Sequence, residues 1–273
     1  MRARAVEQTV GVGRAGSGPW CWLAAGEADV PATGRWLHDT ERVALDGMRF
    51  TKRHGEWRLA RWTAKRALAE VLELSDDHET LATLWLRRTP EGAPEPFVGC
   101  TPAPCSVSST DRAGWAVCLV GPAGRRVGVD LEVVEARSER FVRDWFTPAE
   151  QARVDAAVDD DGWRCVANLI WSAKESALKV LGTGLRRSTH SVEVDLGADA
   201  GPGHDGEGWR ALRVHTDEGL VLPGWWRRFG AFVLTVAADG PVGDGPPRCL
   251  VDPPPLAAAE PTHSWLDAPV RDR

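Results

Sequence analysis

Two short stretches of the sequence concentrate the side chains that could do chemistry. In the β-rich run VGVDLE, Asp130 and Glu132 are two residues apart, so both carboxylates should project from the same face of a strand. In a later helical run, Glu175 and Lys179 are four residues apart, a spacing that places their side chains roughly 5–6 Å from each other. Clustered carboxylates repel one another unless a cation separates them. The three carboxylates therefore predict a site for one hard, oxygen-preferring cation, and Mg²⁺ holding a phosphate ester is the best match.

The second stretch, residues 163–184, has the pattern of an amphipathic helix, because its apolar residues recur at steps of three and four. Gly182 is placed to end this helix. A solvated surface pair would also explain Glu175 and Lys179. Lysine is rare in this chain, however, and two of its few positions fall in this one helix: Lys52, Lys65, Lys174 and Lys179. Arginine supplies most of the other cations of the chain. The compact point charge of a lysine suits a phosphate oxygen.

Composition excludes several classes of protein. The formal net charge of −6 argues against a general nucleic-acid binder, which needs a broad cationic surface. The six cysteines form no CxxC pair, which predicts reduced thiols and a cytoplasmic location. The seven histidines show no zinc-binding spacing. No apolar run approaches the length of a transmembrane helix, so no membrane partner is expected.

The pattern of elements predicts an α+β chain. Helices are expected near residues 35–50, 57–74 and 163–181, and strands near 20–24, 115–120, 126–133, 191–196, 209–216 and 229–237. Residues 1–19 are interpreted as a flexible leader, whose GxGxxG match lacks the strand and helix of a dinucleotide site. Residues 240–273 are rich in proline, glycine and alanine and are predicted to be a disordered tail.

Three motifs together resemble the Sfp-type 4′-phosphopantetheinyl transferases. They are GVDLE (128–132), FTPAE (146–150) and WSAKESALK (171–179), and their order and separation match as well. The resemblance covers about residues 35–237. It implies a transferase-like fold of two pseudo-duplicated α/β halves with the active site at their junction. Residues 20–120 would form the half that binds the nucleotide of coenzyme A, and residues 121–239 the half that carries the metal and catalytic motifs.

The same resemblance implies an activity. The 4′-phosphopantetheine arm of coenzyme A would pass to a serine of an acyl, peptidyl or aryl carrier domain, releasing adenosine 3′,5′-bisphosphate. Mg²⁺ would be held by Asp130, Glu132 and Glu175, with Asp130, Glu175 and Lys179 as the catalytic set. Glu175 would be the base for the carrier serine, directly or through a water, and Lys179 would neutralise the pyrophosphate. A monomer is also implied.

The cofactor-binding residues implied by the resemblance lie in both halves. They are Arg61, Gly92, Pro94, Ser108, Ser109, Lys174 and Lys179. The chain departs from the family at two of these sites: Ala93 replaces a lysine beside the adenine, and Ser109 replaces a histidine at the 3′-phosphate.

Carrier domains are acidic as a class, so an acidic enzyme must dock them through a local basic patch. The candidates flanking the motifs are Arg137, Arg140, Arg143, Arg186 and Arg187. Two alternatives remain at this point: a magnesium-dependent nuclease or phosphodiesterase, and a nucleotide-binding relative with impaired catalysis.

Overall fold

A computed structural model of the chain describes residues 18–197 and 208–263. Its helices are α1 (Asp39–Asp46), α2 (Thr51–Val71), α3 (His78–Thr83), α4 (Glu139–Trp145), α5 (Pro148–Asp155) and α6 (Asp160–Leu181). Its strands are β1 (Cys21–Gly26), β2 (Leu84–Arg88), β3 (Pro94–Val98), β4 (Thr101–Pro102), β5 (Cys105–Arg112), β6 (Trp115–Pro122), β7 (Val127–Val133), β8 (Val192–Asp195), β9 (Arg210–Thr216), β10 (Val221–Phe229), β11 (Phe232–Ala238) and β12 (Arg248–Cys249).

The same order of elements occurs twice. In the first half, β1 leads into α2 and pairs with β6, which pairs with β5, giving the order β12-β1-β6-β5. In the second half, β7 leads into α6 and pairs with β11, which pairs with β10, giving the order β7-β11-β10-β9-β8. The short strands β2, β3 and β4 form a separate sheet. The predicted α+β fold with two pseudo-duplicated halves is confirmed.

Three apolar cores hold these layers together. One core lies between α2 and its sheet, and a second lies between α6 and its sheet. The third joins the two sheets through residues such as Trp22, Val117, Val129 and Phe232. Burying side chains of this size stabilises the fold by roughly 1.5–3 kcal/mol each. The two halves therefore pack face to face, with a long helix on each outer side.

The predicted strand near residues 229–237 belongs to a hairpin that the sequence did not reveal. The strand β10 runs through Pro223 and Gly224, a dipeptide that normally marks a turn. Gly224 faces the backbone of Val236 so closely that a Cβ atom there would lie 2.3 Å from the carbonyl oxygen. Close strand packing, which local sequence does not report, explains the glycine.

The prediction of a disordered tail is wrong for residues 240–263. The strand β12 pairs in parallel with β1, and Leu256 is completely buried against the sheets. The backbone N–H of Thr262 donates to the carbonyl of Ala113. Isolated apolar residues between prolines show no periodicity, yet each can fill a gap on a sheet that is already formed. Residues 264–273, and the predicted leader up to residue 17, lie outside the described residues.

Among the helices of the described segments, none combines the length and the apolar composition that crossing a bilayer requires.

Candidate functional site

The helix α6 separates the WSAKESALK motif into an inward and an outward set of side chains. Lys174 belongs to the inward set: it is completely buried, and its ammonium lies 2.7 Å from a carboxylate oxygen of Glu150. It also donates to the carbonyl oxygens of Thr189 and Val192 at 2.8 and 2.6 Å. These contacts contradict the prediction that Lys174 binds the cofactor. Helical spacing alone could not show that this lysine points into the core.

The two serines of the motif fasten α6 to the sheet. Ser172 Oγ lies 2.9 Å from Thr235 Oγ1, and Ser176 Oγ lies 2.8 Å from the same hydroxyl. On the neighbouring strand, a Cβ atom at Gly128 would lie only 2.0 Å from the carbonyl oxygen of Ser176. Glycine is therefore required at position 128 for the helix to approach β7. This close approach brings the outward side chains of α6 to the carboxylates of β7.

The outward side chains Trp171, Glu175 and Lys179 are partly exposed on successive turns, as the spacing predicted. Lys179 donates to the carbonyl oxygen of Val129 at 2.7 Å and to Asp130 Oδ1 at 2.9 Å. Asp130 Oδ1 also accepts a hydrogen bond from Thr110 of the other half, at 3.1 Å. Its second oxygen, Oδ2, is buried without a hydrogen-bond partner. An unsatisfied carboxylate oxygen in a buried position favours binding of a cation.

The electrostatics of Glu175 also favour a cation. Its pKa is raised to about 7: burial contributes most, the negative charges of Asp130 and Glu132 add to the rise, and Lys179 opposes it. The carboxylates are thus close enough to repel one another, as the sequence predicted. A divalent cation between Asp130 and Glu175 would relieve this repulsion, and both side chains fit such a role.

Glu132 differs from the other two carboxylates because arginines contact it. Arg112 Nε donates to Glu132 Oε2 at 2.8 Å, and Arg137 Nη2 lies 3.0 Å from the same oxygen. Burial raises the pKa of Glu132, Arg137 and Arg112 oppose the rise, and Asp130 adds to it. Within the described residues, no group of three or more acidic, histidine or cysteine side chains is already arranged to hold a metal ion.

A cavity of about 240 Å³ lies beside these carboxylates, at the junction of the two halves. Six of the seven predicted cofactor-binding residues line it: Arg61, Gly92, Pro94, Ser108, Ser109 and Lys179. Lys179 joins the two parts of the site, because it lines the cavity and also contacts Asp130. Ser108 has a structural contact as well, since its Oγ accepts a hydrogen bond from the backbone N–H of Val129.

The cavity is strongly cationic. Besides Arg61 and Lys179, it is lined by Arg88 and Arg186, and Glu91 is the single acidic residue among the described residues of its wall. Arg61 lies 3.5 Å from Glu41, and burial lowers its pKa. Sequence reasoning missed Arg88, although it directly precedes the turn that carries Gly92. Arg186, predicted to dock the partner, lies in the cavity wall instead.

The comparisons with known proteins agree with this part of the chain. Residues 126–222 match the model of the 4′-phosphopantetheinyl transferase superfamily. The match covers 97 of the 273 residues of the chain. Asp130, Glu132, Glu175 and Lys179 all fall within it. The family resemblance is thereby confirmed at the level of the superfamily, and the Sfp-type subdivision remains a prediction.

Two further comparisons were made. Among solved structures, a holo-[acyl-carrier-protein] synthase from Thermotoga maritima is similar to this chain, with 23% identity and a TM-score of 0.31. The alignment covers 41% of this chain and 61% of the synthase, which is less than two thirds of its length. No curated protein sequence matches the chain.

Outside the stretch matched by the family model, Asp111 is a fourth acidic residue near the site. Its pKa is raised to about 6: burial contributes most, Glu56 adds to the rise, and Lys179 opposes it. The residue is nevertheless exposed to solvent. No motif pointed to Asp111; it became visible only when β5 was placed beside β7.

A larger open groove of about 630 Å³ lies between α4, α5 and the start of α6. Its charged lining is mixed, with Arg137, Arg143 and Arg164 opposite Glu139 and Asp160. It contains neither Lys179 nor the carboxylates of the transferase motifs. The smaller cavity is therefore the better candidate for the nucleotide.

Proposed function

We propose that this protein transfers the 4′-phosphopantetheine arm of coenzyme A to a serine of a carrier domain, with release of adenosine 3′,5′-bisphosphate. One observation carries the proposal: Lys179 bridges the carboxylates of the superfamily motifs and the cationic cavity formed by both halves. Transfer of a phosphoryl group requires both features, because charge must be stabilised on the leaving phosphate while the nucleotide is held in place.

The cavity suits one end of coenzyme A. Its volume of about 240 Å³ is below the 300–1,000 Å³ typical of pockets that enclose a whole drug-sized ligand. The nucleotide end carries most of the phosphate charge, and Arg61, Arg88, Arg186 and Lys179 match that charge. The arm would then extend from Lys179 towards Glu175 and Asp130.

Asp130 and Glu175 would hold the divalent cation, which we propose is Mg²⁺. When bound, it would neutralise charge on the pyrophosphate. Lys179 would add a positive charge on the same side. The pKa of Glu175, about 7, also suits a group that accepts the proton of the carrier serine, directly or through a water.

The carrier domain would dock beside α4. Arg140 and Arg143 of this helix have side chains that are 82% and 66% exposed, and Trp145 is partly exposed next to them. Arg137 is held by Glu132, and Arg187 contacts Asp217 and Glu218, so neither is as available to a partner. A basic surface with an aromatic anchor suits an acidic carrier domain.

Intact-mass analysis of an apo carrier domain tests the proposal. After incubation with the protein, coenzyme A and Mg²⁺, the carrier should gain one phosphopantetheine unit, and a carrier with alanine at the acceptor serine should gain nothing. Asp130→Asn should slow the transfer by on the order of 10²-fold or more, because it removes a charge needed in the transition state. Glu70→Gln, on the exposed face of α2, is the matched control and should leave transfer unchanged.

Two outcomes would contradict the proposal. A series of acyl, peptidyl and aryl carrier domains that all stay unmodified would exclude carrier modification. Cleavage of coenzyme A without any gain in carrier mass would favour a phosphodiesterase instead.

A further inference from the structure

Glu132 is fixed by positive charges from two elements. Arg112 reaches it from β5 in the first half, and Arg137 reaches it from the segment after β7. The arginine side chains are only 9% and 14% exposed, and that of Glu132 is 11% exposed. Contacts between buried guanidinium and carboxylate groups are short and directional, so they fix the orientation of both partners.

The contacts continue into a closed network. Arg112 Nη2 donates to Glu135 Oε1 at 2.5 Å, and Arg137 Nε donates to Asn168 Oδ1 at 2.8 Å. Asn168, which is fully buried on α6, donates in turn to the backbone carbonyl of Glu135 at 2.7 Å. Two guanidinium groups and two carboxylates thus balance each other in charge. Glu132 therefore needs no metal ion to be stable in this position.

Asp130 is in the opposite situation. Among the described residues, Lys179 is the single cation that contacts Asp130, and the buried Oδ2 of Asp130 accepts no hydrogen bond. Glu175 makes no ion pair with any described residue. These two carboxylates, and not Glu132, leave negative charge uncompensated beside the cavity.

We propose that Arg112, together with Arg137, holds Glu132 as a positioning residue, so that the divalent cation is bound by Asp130 and Glu175 and not by Glu132. This inference rests on the proposed function, in which a cation acts at these carboxylates. The network also fixes β7 against β5, and it acts alongside the hydrogen bond from Thr110 to Asp130. Arg112 thereby sets the position of Asp130 from the other half of the molecule.

Titration of the full-length protein with Mn²⁺, followed by electron paramagnetic resonance, tests which carboxylates bind metal. Asp130→Asn should weaken Mn²⁺ binding by about tenfold or more. Glu132→Gln should also weaken it, within the roughly 10–100-fold range of outer-sphere partners, because the network is then left with one uncompensated positive charge near the cation.

The double variant Glu132→Gln/Arg112→Gln distinguishes a positioning residue from a ligand. It removes one charge of each sign, so Mn²⁺ affinity should return to within about threefold of the wild type. If Glu132 is a ligand, the double variant still lacks it and should bind as weakly as Glu132→Gln alone. That result would overturn the proposal.

Thermal unfolding in EDTA tests the network without any metal. Glu132→Gln and Arg112→Gln should each lower the melting temperature by about 5 °C or more, because each leaves a buried charge without its partner. The double variant should lose no more than the worse single variant. Additive losses would show that the two side chains are not coupled. The exposed pair Arg87 and Glu95, varied in the same way, is the control and should change little.

If Arg112→Gln does not fold, Arg137→Gln replaces it, since Arg137 also contacts Glu132 and its replacement likewise removes one positive charge. Failure of the two proposals is distinguishable. A wild type that binds no Mn²⁺ would overturn the metal role in both. Wild-type carrier modification combined with additive melting losses would overturn this inference alone.

Discussion

The two halves of the molecule share a scaffold but not a site. In each half, the long helix contains a buried lysine that contacts the glutamate of a capping box on the preceding short helix. Lys65 lies 2.5 Å from Glu41, and Lys174 lies 2.7 Å from Glu150. The other oxygen of each glutamate accepts a backbone hydrogen bond from a following strand, at Leu86 in one half and at Val194 in the other.

The halves differ in the side chains on the outward faces of their long helices, opposite the buried lysines. Counting from the buried lysines, Arg66 and Glu70 of α2 occupy the positions of Glu175 and Lys179 of α6, with the charges reversed. The strand β1 has the sequence CWLAAG and provides no carboxylate, whereas β7 provides Asp130 and Glu132. In the first half, Leu250 and Val251 of the C-terminal segment line a cavity of about 330 Å³ together with Arg66 and Glu70. The two halves therefore share a scaffold but differ in the charged groups that it presents.

The largest expected effect tests the shared scaffold. Lys65→Met and Lys174→Met should each lower the free energy of unfolding by about 3–5 kcal/mol, because each leaves a buried glutamate without its nearest cation. Urea denaturation followed by tryptophan fluorescence measures this loss. Lys52→Met, in an exposed pair with Glu56, should cost less than about 1 kcal/mol. A small loss at Lys174 with a large one at Lys65 would contradict the equivalence of the halves.

The sequence predicted the second half better than the first because its motifs combine spacing with chemistry. The outward positions of Glu175 and Lys179 follow from helical periodicity, and the structure confirms them. The inward position of Lys174 depends on its contact with Glu150, and the position of Glu132 depends on its contact with Arg112. In both pairs the partners are distant in sequence. Such pairs leave no local pattern. In the first half, Arg88 and Asp111 have no motif around them, so only the packing of the strands revealed them.

The C-terminal segment provides the next largest effect, since it covers the half without the carboxylates. Leu256→Ala should destabilise the protein by roughly 2–4 kcal/mol, because the side chain is completely buried. Val251→Ala, at a side chain that is 36% exposed, is the control and should change stability by no more than about 0.5 kcal/mol. Thermal melting of the two variants measures the difference. Small changes of equal size would instead support a disordered tail.

A pH-dependent effect should appear on the outward face of α6 and not on the corresponding face of α2. Glu175 has a pKa of about 7 in the folded chain, raised from 4.5, so the native state binds the proton more tightly than the unfolded state. Native stability is therefore lost as the pH rises from 4.5 towards 7. Glu175→Gln should raise stability over the wild type by on the order of 2 kcal/mol at pH 8 in EDTA, and by almost nothing near pH 4.

The variant Glu70→Gln, on the exposed face of α2, is the control for this pH dependence. It should stay within about 0.5 kcal/mol of the wild type. Adding Mg²⁺ at pH 8 should stabilise the wild type and reduce the advantage of Glu175→Gln, because the cation favours the ionised carboxylate. An advantage that is independent of pH would refute the link to Glu175 ionisation.

The smallest expected effect concerns what the first half contributes to the site, which is the nucleotide end of the cavity. Ser109 stands where the resemblance implies a histidine for the 3′-phosphate, and a neutral hydroxyl forms a hydrogen bond about half as strong as a charged donor. Arg88 and Arg186 line the same cavity and can supply the missing charge.

Arg88→Gln should therefore weaken coenzyme A binding by about 1 kcal/mol, or about fivefold, and leave the binding of 3′-dephospho-coenzyme A unaffected. Ser109→His should restore most of that loss when combined with Arg88→Gln. Isothermal titration with both ligands measures the difference, and an equal loss for both would show that Arg88 senses the pyrophosphate rather than the 3′-phosphate.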